Sequence, residues 1–441
     1  MTPNRLALCK RAAAWLALLG ALFYLSYGAA NWWASTRTTV PSVVFDWEHQ
    51  IPFMPWTIFP YWTINAFYAL SLFLAWNRRV LDRHAARLLT AQLVAVTCFV
   101  LWPLRFSFGT PPVEGAPAFL FDALRSFDRP FNQAPSLHIT LAVVLWDWYR
   151  RLIHRRWLRV VLHLWTFAIC ASVLTTWQHH FMDIPTGALL GLLCVWMWPL
   201  EAVAPPWGAW RLTTDAARQR LALVYGIGAL ATLLLGLSCG SSALWLAWPA
   251  FALLLVALNY LALGAHGFAM RRDGTQPWAM VVLLWPYIVA ARLNARLWTR
   301  GLPPAVSIAP GFRLGRIPTE AEWQAAGKPL VLSLCAELEV AHIPGARCVP
   351  MLDLVLPSEH QLRRAVSEIE AARTAGRDVW VCCALGFSRS ALVAVAWLVR
   401  HGGAASVDAA EQLVRRHRPT IVLRGAWRER LHQARLTGST P

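Results

Sequence analysis

The stretch RDVWVCCALGFSRSALVAVAWLV, Arg377–Val399, decides how the rest of the chain is read. DVWVCC is a short apolar run of strand type, and SALVAVAWLV is apolar over a helical length. Five residues separate Cys383 from Arg389, so a buried strand feeds a tight loop that opens a helix.

Those parts suit attack on a phosphoester. Only the thiolate form of a cysteine is nucleophilic. Loop N–H groups and a helix N-terminus stabilise that form and hold phosphate oxygens. Arg389 offers a planar, two-pronged donor that matches phosphate. Gly386 lets the loop curl around the anion; Gly386 and Ser388 are the expected phosphate-binding loop positions, and Ser390 can hydrogen-bond the departing thiolate. A general acid must protonate the leaving oxygen. Asp353, in VPMLDLVLP and thirty positions before Cys383, is the candidate.

From Leu302 onward charges of both signs appear, with β-like runs PLVLSL and DVWVCC around a helix-like stretch, SEHQLRRAVSEIEAARTAG. Ser358 is its expected N-cap and Gly376 its stop. Strand and helix signals alternating in this way predict a compact α/β domain. The region from about Ile308 to the end resembles the dual-specificity branch of the cysteine-dependent protein tyrosine phosphatases. RLGRIPTEAEW, LVLSLCAELEV and RRHRPTI carry the resemblance beside the Cys-x5-Arg loop. It implies Cys383 as nucleophile, Arg389 as phosphate clamp and Asp353 as general acid. Cys382 stands where that family usually has histidine, which opens a redox pairing with Cys383.

The preceding three hundred residues are of another kind. Hydrophobic residues make up 57% of the chain and charged ones 15%, and there are 26 tryptophans. This composition excludes an ordinary soluble domain and fits indoles gathered near lipid headgroups. The formal charge is +18, carried almost wholly by arginine in short blocks between apolar runs rather than in one patch, so no nucleic-acid partner is expected. Nine cysteines without paired spacing point to a reducing compartment. No metal and no cofactor is expected.

Eight runs are candidates to cross a bilayer, which takes roughly 20 apolar residues: Ala12–Trp33, Ile58–Trp76, Leu88–Phe108, Leu137–Tyr149, Leu158–Thr176, Phe181–Leu200, Leu221–Leu237 and Ala243–Leu263. Arg78, Arg79, Arg83 and Arg87 fall in one connection and Arg150, Arg151, Arg155, Arg156 and Arg159 in another, which places both on the cytoplasmic side. Trp278–Arg300 reads as an interfacial amphipathic helix, with Arg292, Arg296 and Arg300 on one face.

A second site lies in the apolar half. DRPFNQAPSLHIT sets His138 at the start of the fourth run, and TTWQHHFMDIPTG sets His179 and Asp183 between the fifth and sixth. Ionisable groups at membrane depth are costly and usually functional. A nucleophilic imidazole, an aspartate that fixes its tautomer and a second imidazole as acid are what histidine-mediated phosphoryl transfer needs. Arg105 and Arg129 are the candidate phosphate-binding residues. PSLH and His179-x3-Asp183 resemble motifs of the type 2 phosphatidic acid phosphatase superfamily. That resemblance covers approximately the first 200 residues. It implies a six-helix membrane bundle with His179 as nucleophile, Asp183 as its orienting partner and His138 as acid. Leu137 and Val173 replace residues usual in those motifs, a pattern closer to the branch containing sphingomyelin and inositol-phosphorylceramide synthases. His180 is read as structural.

The expected fold is therefore a polytopic α-helical membrane bundle, a six-helix core plus about two extra helices, followed by a small α/β dual-specificity-phosphatase-like domain. The expected divisions are 1–205 for the catalytic bundle, 206–277 for additional transmembrane helices, 278–301 for the linker helix and 302–441 for the phosphatase-like domain. The expected function is a membrane-bound lipid phosphate phosphatase with a histidine site and a cysteine site, an integral protein of a bacterial inner membrane with its C-terminal domain cytoplasmic. Its partners are phospholipid or lipid phosphate substrates and the bilayer. Two alternatives stand beside it: a lipid head-group phosphotransferase with an attached phosphatase, and a membrane-anchored phosphatase of phosphoproteins.

Overall fold

The computed structural model describes residues 3–201 and 204–433; residues 434–441, the end of the expected C-terminal domain, lie outside the described residues. Packing divides the chain into two units, residues 1–205 with 233–247, and residues 206–232 with 248–441.

The first unit is helical. Its elements are α1 (Pro3–Ser35), α2 (Ile58–Phe73), α3 (Arg78–Leu101), the short α4 (Ala116–Arg125), α5 (Leu137–Leu152), α6 (Arg156–Thr175) and α7 (Asp183–Met197). α5 packs on α7, α1 on α3, and α2 on both α5 and α6. The α5–α7 crossing depends on small residues. A Cβ on Gly187 would meet the Ser136 carbonyl, and one on Gly191 would meet Val143 and the Thr140 carbonyl. Close approach of this kind is how helices associate where no hydrophobic effect drives them. Thr140 Oγ1 donates across the contact to the Gly187 carbonyl at 3.0 Å, and the Ser136 N–H to the Asp183 carbonyl at 3.1 Å. The helix starts that carry His138 and Asp183 are thereby fastened together.

Five described helices are long and apolar enough to cross a membrane: Asn4–Ser35, Arg78–Leu101, Arg156–Thr175, Ala216–Ser238 and Ala243–Phe268. Eight were expected. The runs at α2 and α5 give helices of 16 residues and that at α7 one of 15. At α7 polar groups set the start. The N–H groups of His180 and Phe181 are taken by the carboxylates of Asp183 and Glu48, so these residues form a turn and the helix begins at Asp183.

The arginines expected in the connection after α2 lie instead in the first turns of α3. Arg87 is fully buried, paired with Asp147 of α5 at 2.8 Å, and donates to the Trp198 carbonyl at 2.8 Å. Arg83 donates to the carbonyls of Pro199 and Glu201. Cations near a helix C-terminus satisfy carbonyls that have no partner within the helix. This basic cluster is part of the packing of the bundle end.

The second unit contains most of α8 (Ala216–Ser238) and α9 (Ala247–Leu258), then α10 (Trp278–Leu283) and α11 (Trp285–Trp298). The expected linker helix is thus two pieces, because Pro286 near the start of α11 cannot continue an existing helix. Arg300 lies beyond the end of α11, so only Arg292 and Arg296 share its face.

A five-stranded sheet follows, in the order β1-β2-β5-β3-β4. The strands are β1 (Ala305–Ala309), β2 (Phe312–Arg316), β3 (Leu330–Cys335), β4 (Arg347–Met351) and β5 (Val379–Cys383), with β1 antiparallel to β2 and the remaining pairs parallel. α12 (Glu320–Ala325), α13 (Glu359–Thr374), α14 (Arg389–Arg400), α15 (Val407–His417) and α16 (Gly425–Gln433) complete the domain. Ser358 caps α13 reciprocally with Gln361, and Gly376 follows at φ +71°, both at the positions expected from sequence. β5 is the central strand, fully buried, and ends at Cys383. In parallel sheets the carboxyl ends of central strands are where ligands bind.

Candidate active sites

The Cys383 loop is held from outside. Arg418 donates to the Leu385 carbonyl at 3.1 Å, and the Val422 N–H to the Phe387 carbonyl at 2.9 Å. Two loop carbonyls are thus engaged by the flanking segment, and the Gly386 N–H donates to Cys383 Sγ at 3.3 Å. Gly386 has φ +76°, and a Cβ there would strike the backbone of Gly315 and Arg316. Only glycine fits both demands. Ser390, in the first turn of α14, sets its Oγ 3.3 Å from Cys383 Sγ, while Ser388 is the N-cap of α14.

Arg389 is fully buried. Its Nη1 and Nη2 donate to the two oxygens of Glu337 at 2.9 and 2.6 Å, and Nη1 also reaches the Met351 carbonyl at 2.9 Å. Nη2 lies 3.2 Å from Asp353 Oδ1. Burial by itself would pull the guanidinium down, but Asp353, Cys335 and Glu337 hold it well above its ordinary value. The Nε–H is buried with no partner among the described residues, a donor available to a phosphate oxygen. The three candidate residues therefore converge: Cys383 and Arg389 from one loop, and Asp353 from the turn after β4.

Cys382 points away from the Cys383 loop. Successive strand residues point to opposite faces, and Cys382 is buried in an apolar cluster with Trp323, Val331, Ile343 and Trp380. Burial pushes its thiol well up. The redox pairing expected from its position beside Cys383 has no support in this geometry.

In the first unit, His179 Nδ1 is 3.1 Å from Asp183 Oδ2. A carboxylate accepts only, so Nδ1 donates, and Nε2 is the nitrogen left to face the cavity chemistry. The same oxygen accepts the His180 N–H at 3.0 Å. His138 stacks on Tyr61 with ring centroids 3.8 Å apart and places Nε2 3.0 Å from the Tyr61 carbonyl. His138 and His179 both line a mainly apolar cavity of about 310 Å³ among α1, α2, α3 and α5, which Asp128 and Asn132 also line. His179 also lines a second cavity of about 250 Å³ that contains Arg125, Asp128 and Arg129. Arg105 is exposed and lines neither cavity; its backbone N–H binds the Pro41 carbonyl. Arg125 and Arg129 line the second cavity instead.

Several participants escaped sequence reading. Glu337 lies inside the quoted LVLSLCAELEV and Arg418 inside RRHRPTI, so each was on view without its role. Glu48 binds His180 Nδ1 at 3.0 Å, and His180 Nε2 meets the Ser107 N–H at 3.2 Å, a network that staples three loops behind His179. Asp128, which accepts the Tyr27 hydroxyl at 3.0 Å, opens the quoted DRPFNQAPSLHIT but was given no role there.

Residues 342–435 match the family model of the dual specificity phosphatase catalytic domain. The C-terminal domain is a phosphatase catalytic domain of this type, and the protein is an enzyme that hydrolyses phosphate monoesters. No curated relative matches the chain. Among solved structures it is similar to human DUSP28, at 31% identity over 30% of this chain and 92% of that one, with a TM-score of 0.27. It is similar to Tk-PTP in the active form at 28% identity, over 30% of this chain and 96% of that one, with a TM-score of 0.26. For PTPMT1 in complex with PI(5)P the values are 19% identity, 30% and 94% coverage, and a TM-score of 0.25.

Proposed function

We propose that the protein is a membrane-bound phosphatase of lipid phosphates with two catalytic sites of different chemistry. The observation that carries the lipid reading is the position of His179 between an apolar cavity among the helices and a polar one bearing Arg125 and Arg129. An acyl chain suits the first, and a phosphate head group suits the second.

At the cysteine site, the Cys383 thiolate attacks phosphorus and a P–S bond forms. The P–O bond to the leaving group breaks with its electron pair, and Asp353 gives that oxygen a proton. Water then attacks the phosphocysteine, Asp353 takes its proton, Ser390 hydrogen-bonds the departing sulfur, and inorganic phosphate leaves. Gly386, Ser388 and Arg389 hold the phosphate. The loop side chains Ala384, Leu385 and Phe387 are apolar and lack the lysines suited to a highly phosphorylated inositol head group, which favours a simple phosphomonoester.

At the membrane site, His179 Nε2 takes the phosphoryl group while His138 protonates the leaving oxygen and Asp183 holds the imidazole tautomer. Arg129, with Arg125, binds the phosphate. Transfer of the phosphoryl group to water or to a lipid alcohol completes the cycle. The protein resides in a bacterial inner membrane with its C-terminal domain in the cytoplasm, since Arg211 before α8, Arg218 and Arg220 in its first turns, and Arg271 and Arg272 after α9 put basic residues at the same end of these two apolar helices.

The test uses full-length protein in nanodiscs with phosphatidic acid, with and without an added alcohol lipid, and with a phosphotyrosine peptide. Cys383→Ser should remove one activity and His179→Ala the other. Hydrolysis of the peptide alone, lost in Cys383→Ser, would replace the lipid reading with a phosphoprotein phosphatase on a membrane anchor.

A further inference from the structure

We infer that Tyr260 is a positioning residue of the cysteine site, so that the apolar hairpin preceding the domain is a working part of the phosphatase. The inference rests on reading Asp353 as the general acid.

Tyr260 lies in a π-helical turn, Asn259–Leu263, at the end of α9 and is 2% exposed. Such turns inside helices are found often at functional sites. Its hydroxyl donates to the carbonyl of Asp353 at 3.2 Å. The ring stacks on Tyr225 of α8 with centroids 5.6 Å apart, and Arg218 Nε donates to the Tyr260 carbonyl at 2.9 Å, so the hydroxyl is aimed by two neighbours.

The acid turn needs such a hold. Leu354, next to Asp353, has φ +59°, the left-handed region that bulky residues avoid. Conformations of this kind are strained and persist only where the surroundings over-determine them. Three side chains clamp consecutive parts of the turn: Arg389 the Met351 carbonyl at 2.9 Å, Tyr260 the Asp353 carbonyl at 3.2 Å, and Arg424 the Leu354 carbonyl at 3.4 Å. Only Tyr260 comes from outside the phosphatase domain.

A second tie runs beside it. The strap after α9 pairs with the sheet edge: the Cys348 N–H donates to the Arg272 carbonyl at 2.8 Å, and the Val340 N–H to the Gly274 carbonyl at 2.9 Å. Both the Asp353 turn and the loop bearing Glu337 are thus held by residues that precede the domain. Proton transfer requires a heavy-atom approach of about 2.6–3.2 Å, and a shift of about 1 Å can cost a hundredfold. Tyr260 holds the backbone from which the carboxyl of Asp353 reaches the leaving oxygen.

The experiment uses the full chain carrying His179→Ala, so that only the cysteine site turns over, and compares Tyr260→Phe and Asp353→Asn with their parent. The substrates are phenyl phosphate, whose leaving oxygen needs the acid's proton, and 2,4-dinitrophenyl phosphate, whose leaving oxygen does not. Tyr260→Phe should lower kcat/KM, which covers only the steps through phosphocysteine formation, by roughly tenfold or more on phenyl phosphate and by less than about twofold on the dinitrophenyl ester. Asp353→Asn should show the same selectivity, more strongly. Iodoacetate labelling of Cys383 at the parent rate marks an intact cradle; should Tyr260→Phe fail that check, Tyr225→Leu, which removes the stack behind Tyr260, is read in its place. Equal losses on both substrates, or none, in the tyrosine variant while Asp353→Asn stays selective would overturn the role of Tyr260. An unselective Asp353→Asn overturns the acid assignment itself, and the proposal with it.

Discussion

Glu337 and Arg389 form a two-pronged ion pair inside the C-terminal domain, with each carboxylate oxygen meeting one guanidinium nitrogen, at 2.9 and 2.6 Å. The pair fixes the rotation of the guanidinium about its own plane and leaves Nε–H for the phosphate. Removing one partner of a buried pair costs about 3–5 kcal/mol, because the other charge stays buried and alone. Glu337→Gln should therefore lower the melting temperature and reduce kcat/KM on a phosphomonoester by roughly tenfold or more. Steady-state kinetics at matched folded fraction checks the second effect; unchanged kcat/KM would show that Arg389 needs no such partner.

The cradle makes a sterner demand at Gly386. Alanine there meets a positive φ and the backbone of Gly315 at once. Gly386→Ala should abolish measurable turnover and weaken vanadate binding, with a stability loss of about 1–3 kcal/mol. Vanadate inhibition with unaltered affinity would show that the loop tolerates a Cβ.

Cys382 should be dispensable for chemistry. Its thiol is pushed up by burial and packed among apolar side chains, so it stays protonated and unreactive. Cys382→Ala should keep activity within about threefold and cost about 1 kcal/mol from the small cavity. Peroxide inactivation should proceed at the wild-type rate; protection from peroxide, or a new sensitivity, would revive a redox role.

Asp128 gives the bundle a pH signature. Burial pushes its carboxyl up to about 6, against the pull of Tyr27 and His179. A carboxyl raised in the folded chain stabilises folding while it is protonated. That contribution is complete below about pH 4, the unfolded value, and is lost as pH rises through about 6. Asp128→Asn removes the titration, so its melting temperature should gain on wild type across that window. Parallel melting curves from pH 4 to about 7 would show that Asp128 is not held this way.

The buried pair of Arg87 and Asp147 predicts a large effect far from either site. Asp147→Asn leaves Arg87 buried without its carboxylate and should destabilise the bundle by about 3–5 kcal/mol. Thermal unfolding in detergent measures this, and a change below about 1 kcal/mol would mean that the carbonyls of α7 suffice for Arg87.

Cys383, the loop, Arg389 and Ser390 were legible from the sequence because they are contiguous: a strand end, a turn and a helix start bring them together without long-range help. Capping at Ser358 and the stop at Gly376 were legible for the same reason. Asp353 was legible by its place after a strand and by resemblance. In the apolar half, hydropathy located the helices but began the sixth run at Phe181 rather than Asp183, because it ignores carboxylates such as Asp183 and Glu48 that capture backbone N–H groups. It also assigned Arg87 to a solvent connection, since charge alone cannot reveal a buried partner 60 positions away.

What local order determined by itself was the chemistry of the cysteine loop, since a phosphate cradle is built from one short run of backbone. Which carboxylate would clamp the arginine, which tyrosine would hold the acid turn, and that His138 and His179 would line one cavity were decided by tertiary structure alone. The strand order β2-β5-β3 and the glycine-mediated crossing of α5 and α7 set those distances, and pairing between remote segments leaves no mark on the neighbours of any single residue.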